Sequence, residues 1–288
     1  MTLSSVTAFC PGHISGYFRR VNGTDPATTG SIGAGIVISE GVTATVRPGK
    51  ESAVTVQVRD QEGKIRVAAR ESPPVSFALD RLGVTAEVTT VCRLPIGAGF
   101  GLSAAALLAT LTAANRLFGL ERPAEEIAGL AHETEVLFRT GLGDVSACQG
   151  GGRVVRASPG IHGNILRSFD LIEPVSAVSF GPIHTPSVLG SPSQMEQVAA
   201  AFPKNQPSTV KEFFACCREF SLASGLETPF VQRVLARCDD NGIAAAMTML
   251  GEGVFAYGNH APGTLQEFGE VYVMGMARDG IQILEVSA

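Results

Sequence analysis

Three glycines stand at alternate positions 97, 99 and 101 of the chain. A run of β-type residues at 84–91 precedes them, and an apolar, alanine-rich run at 104–117 follows. The first run predicts a strand and the second a buried helix, so the glycines form a loop that leads into a helix N-terminus. Without a Cβ, backbone N–H groups can approach a ligand closely, and the first N–H groups of a helix are unpaired at the positive end of its dipole. This segment therefore predicts a phosphate-binding loop.

Two common phosphate loops do not fit the segment. The Walker pattern ends in Gly-Lys-Ser/Thr, but here Gly101 is followed by Leu102 and Ser103, which leaves no lysine for the phosphates. The dinucleotide fingerprint Gly-x-Gly-x-x-Gly, counted from Gly97, would need a third glycine at the position of Leu102. The loop alone does not identify its ligand, and the other segments of the chain must do so.

The composition narrows the possible partners. The chain has 288 residues, 22 basic and 27 acidic, with a net charge of −5. No basic cluster extends beyond Arg19 and Arg20, so nucleic acid is not an expected partner and a small molecule is. The six cysteines include no Cys-x-x-Cys pair, which predicts reduced thiols in a cytoplasmic protein. No apolar run of about 18 residues is present, so no membrane partner is expected.

The first half of the chain is predicted to begin with sheet and continue with helices. Alternating or β-branched runs separated by turn residues predict strands at 36–39, 42–46, 54–58 and 65–69. Helical spacing predicts helices at 104–117 and 124–139, and residues 153–156 are predicted to return as a strand.

The second half is predicted to be of the α+β class. Strands are expected at 175–180, 270–276 and 281–286, and helices at 193–201, 210–221, 229–237 and 243–250. A change of pattern between about residues 157 and 180 predicts two domains, 1–165 and 166–288.

Residues 140–146 form the second informative segment, Thr-Gly-Leu-Gly-Asp-Val-Ser, which is followed by three glycines at 150–152. An aspartate in a glycine-flanked loop can approach a hydroxyl group and accept its proton during attack on phosphorus. Asp144 is therefore the candidate general base. The alternative is that Asp144 only caps a helix or turn.

The predicted helix 124–139 carries polar residues along one line. Its packed stripe is Ile127, Leu130, Ala131, Thr134 and Phe138. His132, Glu135 and Arg139 follow one another along the neighbouring face. Because Mg²⁺ in phosphoryl-transfer sites takes one or two protein oxygens beside phosphate and water, Glu135 is the candidate ligand, with Glu133 as the rival. The alternatives are a surface pair of Glu135 with Arg139 and an interior, hydrogen-bonded His132.

Two further segments complete the pattern. Pro11, Gly12 and His13 follow a short β run at 5–9 and are predicted to form a turn. Gly251, Glu252 and Gly253 are predicted to form a glycine loop after a helix. In this order, with residues 95–104 between them, the segments resemble the motifs of the GHMP kinase superfamily (galactokinase, homoserine kinase, mevalonate kinase, phosphomevalonate kinase). The resemblance implies an N-terminal α/β domain with a left-handed βαβ unit, a ferredoxin-like C-terminal domain and ATP in the cleft between them.

The resemblance also implies roles for single residues. Nucleotide binding falls on the loop residues Pro95, Gly97, Ala98, Gly99, Phe100, Gly101, Leu102, Ser103 and Ala104. Ser103 matches the serine that contacts Mg²⁺ and the phosphates, Glu135 lies on or near the metal-binding glutamate, and Asp144 matches the aspartate that accepts the substrate proton. Two positions depart from the family pattern. Leu102 replaces the usual first serine, and His13 replaces a lysine that several relatives carry.

Several segments resemble most closely a subgroup whose acceptor is a small hydroxy acid, which implies a cationic clamp for a carboxylate. Arg156 and His132 are the predicted clamp. Further acceptor contacts are predicted for His13 and for Ser31, which is expected in a glycine-rich turn. An exposed strand arginine is the alternative for Arg156. Another kinase of the superfamily, acting on shikimate, homoserine or mevalonate, and a non-catalytic ATP-binding sensor are the alternative functions. The family resemblance also favours a homodimer.

Overall fold

The computed structural model describes residues 3–183 and 185–288. The strands are β1 (Ser5–Val21), β2 (Gly30–Pro48), β3 (Ala53–Arg59), β4 (Ile65–Ala69), β5 (Ala86–Cys92), β6 (Arg153–Arg156), β7 (Ile165–Ser168), β8 (Val175–Pro182), β9 (Ala245–Met247), β10 (Gly251–Tyr257), β11 (Val271–Met274) and β12 (Gln282–Ser287). The helices are α1 (Pro73–Leu82), α2 (Leu102–Leu117), α3 (Ala124–Phe138), α4 (Asp144–Cys148), α5 (Thr185–Leu189), α6 (Pro192–Ala200), α7 (Val210–Ala223), α8 (Pro229–Asp240) and α9 (Ala261–Leu265).

The first sheet has the strand order β12-β1-β2-β5-β3-β4, and β6 and β7 extend it beside the first half of β2. β3 and β5 run parallel, with α1 in the connection between them, and the other pairs are antiparallel. Helix α2 packs on β1 and β2. Its buried alanines, Ala104, Ala105, Ala109, Ala113 and Ala114, let the helix approach the sheet closely.

The second sheet is antiparallel with the order β11-β8-β10-β9. Helices α5 to α8 connect β8 to β9, and α9 connects β10 to β11. This connectivity is that of a ferredoxin-like fold, so the predicted two-part GHMP architecture is confirmed. Helices α7 and α8 begin at Thr209 and Thr228, whose hydroxyl groups accept hydrogen bonds from first-turn N–H groups.

Most predicted elements are present, but the predicted helix at 243–250 is wrong. Residues 245–247 form the edge strand β9, which pairs with β10, and a turn follows. A short run that is apolar at every position does not distinguish a buried strand from a buried helix, and here the neighbouring strand β10 supplies the hydrogen bonds. Gly251, Glu252 and Gly253 consequently begin a strand rather than a loop after a helix.

Two predicted turns are also strand. Pro11 and Gly12 lie inside β1, where a register shift between them relative to β2 marks a bulge. A bulge is one of the few places where a proline fits inside a sheet. Ser31, which the glycines around it suggested was in a turn, lies in β2 opposite Arg20.

The C-terminal strand β12 returns to the first sheet and pairs with β1, and β7 also belongs to that sheet. The domain boundary at residue 165 or 166 stays a prediction. Within the described ranges, no helix has both the length and the apolar character needed to cross a bilayer.

Candidate active site

A cavity of about 490 Å³ lies where the glycine-rich loop meets the ends of the second sheet. One wall is residues 96–97 and 99–103, and the opposite wall comes from the end of β8 and the turn between β9 and β10. Residues 140–144 and the end of β6 close its inner side. Such a volume suits a nucleotide or another small molecule. The cavity therefore brings together segments that are far apart in the sequence.

The glycine-rich loop is held between two other segments of the site. Gly99 has a φ of +85°, and a Cβ there would lie 2.8 Å from the carbonyl oxygen of Met249. Gly101, with a φ of +62°, caps α2 and would place a Cβ 3.0 Å from the carbonyl oxygen of His13. The N–H of His13 also donates to the carbonyl of Phe100 at 3.0 Å. Only glycine combines this backbone conformation with so close an approach.

The loop residues divide into two groups. Gly97, Gly99, Phe100, Gly101, Leu102 and Ser103 line the cavity. Pro95, Ala98 and Ala104, which were predicted to contact the nucleotide, are not among the lining residues, and both alanines are buried in the core. Ala98 and Ala104 shape the loop from behind, and nucleotide contact by these three residues stays a prediction.

Asp144 is the first residue of α4, and its side chain is 20% exposed. Its Oδ1 lies 2.7 Å from Nδ1 of His13. Burial would raise the pKa of Asp144, but its hydrogen bond with His13 and the charge of Arg156 outweigh this effect and hold the pKa below its usual value. Asp144 is therefore a carboxylate at neutral pH.

His13 is fully buried and does not line the cavity. The predicted contact of His13 with the acceptor stays a prediction. Burial lowers the pKa of His13 despite the opposing effect of Asp144, so the imidazole is neutral. A neutral imidazole facing a carboxylate donates its Nδ1–H, and its Nε2 has no partner within the described residues.

Glu135 extends from α3 into the cavity and is only 2% exposed. The hydroxyl of Thr140 donates to its Oε1 at 2.6 Å, and the Ser103 side chain also hydrogen-bonds to this carboxyl group. Burial and the nearby charge of Asp144 raise the pKa of Glu135 to about 7. A cation at this position would favour the charged form.

The rival Glu133 lies elsewhere. It lines a separate groove on the outer side of α3, together with Arg81 and Arg122. The predicted surface pair of Glu135 with Arg139 is not formed, because Glu135 is buried and Arg139 is exposed after the helix end. Of the two glutamates, Glu135 is therefore the one in the cavity.

Arg156, at the end of β6, is 3% exposed and lines the cavity. Its Nη1 donates to Oγ of Ser31 at 3.1 Å, and its Nε has no partner within the described residues. Burial lowers the pKa of Arg156, while the charge of Asp144 opposes this effect. Arg156 is therefore a buried cation with hydrogen-bond donors to spare, and not an exposed strand arginine.

His132 does not reach the cavity. It is buried, and its Nε2 lies 2.8 Å from the carbonyl oxygen of Thr29. The Nδ1 of His132 has no partner within the described residues, and the contact of His132 with the acceptor stays a prediction. Since Thr29 is two residues before Ser31, His132 supports the strand that carries the Ser31 hydroxyl.

Sequence reasoning did not find the apolar part of the wall. Its residues are Phe18, Leu142, Ile183, Leu189, Met249 and Leu250. Phe18 and Arg156 lie opposite the same residue of β2, Gly33, so both side chains belong to one face of the sheet. Thr140 was also missed as a partner of Glu135. No local pattern distinguishes such residues from ordinary core positions.

Comparisons with known proteins show the family of the chain. Residues 68–152 match the family described as GHMP kinases N terminal domain. A pantoate kinase of Methanospirillum hungatei is 45% identical over 284 residues, which cover 99% of this chain and 98% of the relative. A pantoate kinase of Thermococcus kodakarensis is 31% identical over 87% of both chains. A solved structure titled "Phosphotransferase related to CoA biosynthesis pathway" has a TM-score of 0.82 at 23% identity and covers 97% of this chain and 98% of its own.

The fold, the phosphate loop and the family match define an ATP-dependent kinase of the GHMP class. Within that class, the chain belongs to the pantoate kinase family.

Proposed function

We propose that this protein transfers the γ-phosphoryl group of ATP to the primary hydroxyl of pantoate, which gives 4-phosphopantoate on the archaeal route to coenzyme A. The observation that carries the proposal is the place of Arg156, a buried cation with spare donors that shares a cavity with the phosphate loop and Asp144. A carboxylate is the anion that a planar guanidinium binds best through two parallel hydrogen bonds. Pantoate carries such a carboxylate at the end opposite its primary hydroxyl.

The other side chains of the cavity suit the rest of pantoate. Pantoate has two methyl groups on the carbon next to its hydroxymethyl group. The apolar wall around Phe18, Leu189 and Met249 offers these methyl groups a surface away from water. Ser31, already bonded to Arg156, adds a hydroxyl contact. The acceptor would lie with its carboxylate at Arg156 and its primary hydroxyl at Asp144.

Phosphoryl transfer in this site rests on positioning and charge. The backbone N–H groups of residues 97–103 would hold the phosphates of ATP at the N-terminus of α2. The Asp144 carboxylate, aligned by His13, would accept the proton of the acceptor hydroxyl while its oxygen attacks the γ-phosphorus in line. The bond between the γ-phosphorus and the bridging oxygen of ADP breaks in that step. The buried Arg156 keeps the acceptor from rotating away.

A divalent cation fits the residues present. Within the described ranges, no group of three or more His, Cys, Asp or Glu side chains is arranged to hold a metal ion. Ser103 and Glu135 are in contact, and a hydroxyl with one carboxylate is the partial ligand set that Mg²⁺ takes beside phosphate oxygens and water. We propose that Ser103 and Glu135 hold Mg²⁺, which when bound neutralises charge on the β- and γ-phosphates.

An acceptor panel tests the proposed function. The purified protein, ATP and Mg²⁺ are mixed with pantoate, pantothenate, mevalonate, shikimate or homoserine, and ADP release is measured. Release with pantoate alone is the expected result. Activity with a different acceptor would contradict the acceptor assignment and leave the kinase class intact, whereas ATP binding without transfer to any acceptor would favour a nucleotide sensor.

The apolar wall predicts that the protein distinguishes pantoate from an acceptor without its two methyl groups. With 2,4-dihydroxybutanoate, which lacks only the two methyl groups, kcat/KM should fall about 30-fold relative to pantoate, because each buried methyl group contributes roughly 1 kcal/mol. Met249→Ala should narrow this difference, because it removes part of the wall. Equal kcat/KM values for the two acceptors in the wild-type protein would contradict the placement of the methyl groups.

The pair of His13 and Asp144 predicts a change in pH dependence. Without the hydrogen bond from His13, the pKa of Asp144 rises, since that bond is what offsets burial. Asp144 accepts a proton only in its charged form, so the acidic limb of the kcat profile should move to higher pH in His13→Ala. The variant should therefore lose more activity at pH 6 than at pH 8.

His162→Ala is the matched control for this prediction, because His162 pairs with Glu125 at 2.7 Å on the surface, away from the cavity. Its profile should follow that of the wild-type protein. An unchanged acidic limb in His13→Ala would show that His13 does not set the charge of the base.

We also propose a homodimer in the cytoplasm. Strand β12 leaves one edge of the first sheet unpaired within the described residues, with Ile283, Leu284 and Val286 each more than 40% exposed. Exposed apolar edge strands are usually covered by another chain or segment. The mass in solution, measured by sedimentation, is the direct check of the dimer.

A further inference from the structure

Arg167 of β7 makes three hydrogen bonds to backbone carbonyl groups at the end of α4. Its Nη1 donates to the carbonyl oxygens of Ala147 at 3.0 Å and Gly151 at 2.8 Å, and its Nη2 donates to that of Ser146 at 3.1 Å. The side chain is half-buried between the sheet and this segment. Within the described residues no other arginine donates to a carbonyl group of α4, and Arg167 does not line the cavity.

The short length of α4 makes this contact important. A helix of residues 144–148 is too short to be stable alone, and its last carbonyl groups lack partners within the helix. A guanidinium at the carboxyl end satisfies these oxygens and places a positive charge at the negative end of the helix dipole. Within α4, Ser146 also donates from its Oγ to the carbonyl oxygen of Gly160 at 2.9 Å.

The glycines at 150–152 fit around this contact. A Cβ on Gly150 would lie 3.0 Å from the Cζ atom of Arg167, so a larger residue would push the guanidinium away from its carbonyl partners. Gly152 donates to the carbonyl of Ala277 at 2.8 Å, which fixes the other side of the segment. The glycine triplet thus lets the chain turn closely around Arg167.

The same hairpin carries both arginines of the site region. Arg167 lies opposite Val154 in the pairing of β6 with β7, and Arg156 is two residues further along β6. Because the hairpin is continuous with β2, its position relative to the sheet is fixed. One rigid element therefore presents Arg156 to the cavity and Arg167 to the helix that begins with Asp144.

We propose that Arg167 is a positioning residue for the reaction: by holding the carboxyl end of α4, it keeps Asp144 at the amino end aimed at the acceptor hydroxyl. The inference rests on the proposed function, since it takes Asp144 as the proton acceptor. A displacement of about 1 Å at a reacting group can cost on the order of 100-fold in rate, so loss of the anchor acts on turnover more than on binding.

The test compares Arg167→Ala, Arg167→Lys and Gly150→Ala with the wild-type protein. Arg167→Ala should lower kcat by about 10- to 100-fold, while the KM values for ATP and pantoate change by less than about threefold. Arg167→Lys should recover part of the loss, because an ammonium group reaches fewer carbonyl groups. Added guanidinium at millimolar concentration should raise kcat of Arg167→Ala and leave Arg167→Lys unaffected. Gly150→Ala retains the cation but displaces it, and should lower kcat in the same direction.

Arg218→Ala is the matched control. Arg218 is a half-buried arginine that bonds Asp239 at 2.8 Å between α7 and α8, outside the cavity. Its loss should change the melting temperature and leave kcat unchanged. Normal kcat in a folded Arg167→Ala, or a loss confined to the KM values, would overturn the proposal. If Arg167→Ala does not fold, Arg167→Lys and Gly150→Ala decide in the same way.

Amide hydrogen exchange separates this proposal from the proposed function, because it needs no substrate. In Arg167→Ala, residues 144–152 should exchange faster than in the wild-type protein, while α7 should be unchanged. Unchanged exchange of residues 144–152 would overturn the anchoring role even if pantoate is phosphorylated. Faster exchange in a protein that does not use pantoate would leave the anchor standing and contradict only the acceptor.

Discussion

Replacing Asp144 by asparagine is expected to lower kcat with pantoate by about 100-fold or more, because the amide cannot accept the proton of the attacking hydroxyl. The amide oxygen still accepts the hydrogen bond from Nδ1 of His13, so the fold and the position of α4 should be retained. Steady-state ADP release at saturating ATP and pantoate measures the effect. ATP affinity, measured by calorimetry, should stay within about threefold of the wild-type value.

Asp170→Asn is the control for this substitution. Asp170 is paired with the buried cation Arg153, which donates to both of its oxygens at 3.1 and 2.6 Å, but it lies outside the cavity. Asp170→Asn should lose stability and keep its kcat. Turnover of Asp144→Asn within about threefold of the wild-type rate would remove Asp144 from the role of general base.

Replacing Arg156 by alanine is expected to raise the KM for pantoate by about 100-fold and to leave the KM for ATP nearly unchanged. Loss of a buried, charge-assisted contact to a carboxylate costs roughly 2–5 kcal/mol of binding free energy. The loss affects binding of the acceptor and not of ATP, because Arg156 is not part of the phosphate loop. The KM of Arg156→Lys for pantoate should lie between those of the wild-type protein and Arg156→Ala, because lysine keeps the charge without the planar pair of donors. Initial rates over a grid of ATP and pantoate concentrations give both constants.

An acceptor with a carboxamide in place of the carboxylate makes this test sharper. The wild-type protein should use it poorly, because the charge partner of Arg156 is missing. Arg156→Ala should use the acid and the amide about equally well. If Arg156→Ala still prefers the acid, or if only its KM for ATP rises, another group binds the carboxylate.

Much of the fold follows from local sequence patterns. Helices α2 and α3 were predicted to within two residues at each end, because alanine-rich or evenly spaced apolar residues suit a helix and Pro123 suits the turn that begins one. The wrong predictions concern runs of residues whose local pattern fits two different structures. The apolar run before Met249 fits a helix or a buried strand, and Pro11 with Gly12 fits a turn or a bulge.

The glycine spacing of the phosphate loop, the candidate base Asp144 and the candidate ligand Glu135 could be found from the sequence, because each depends on residues within a few positions of each other. The partners of these residues could not. His13 is 131 positions from Asp144, and Arg156 is 125 positions from Ser31. Their contacts exist because β1, β2 and β6 lie side by side, and no local pattern encodes that neighbourhood. The sequence therefore specifies the chemical groups, whereas strand pairing and packing set the direction of each side chain, so that His13 and Arg167 support Asp144 and Arg156 faces the cavity.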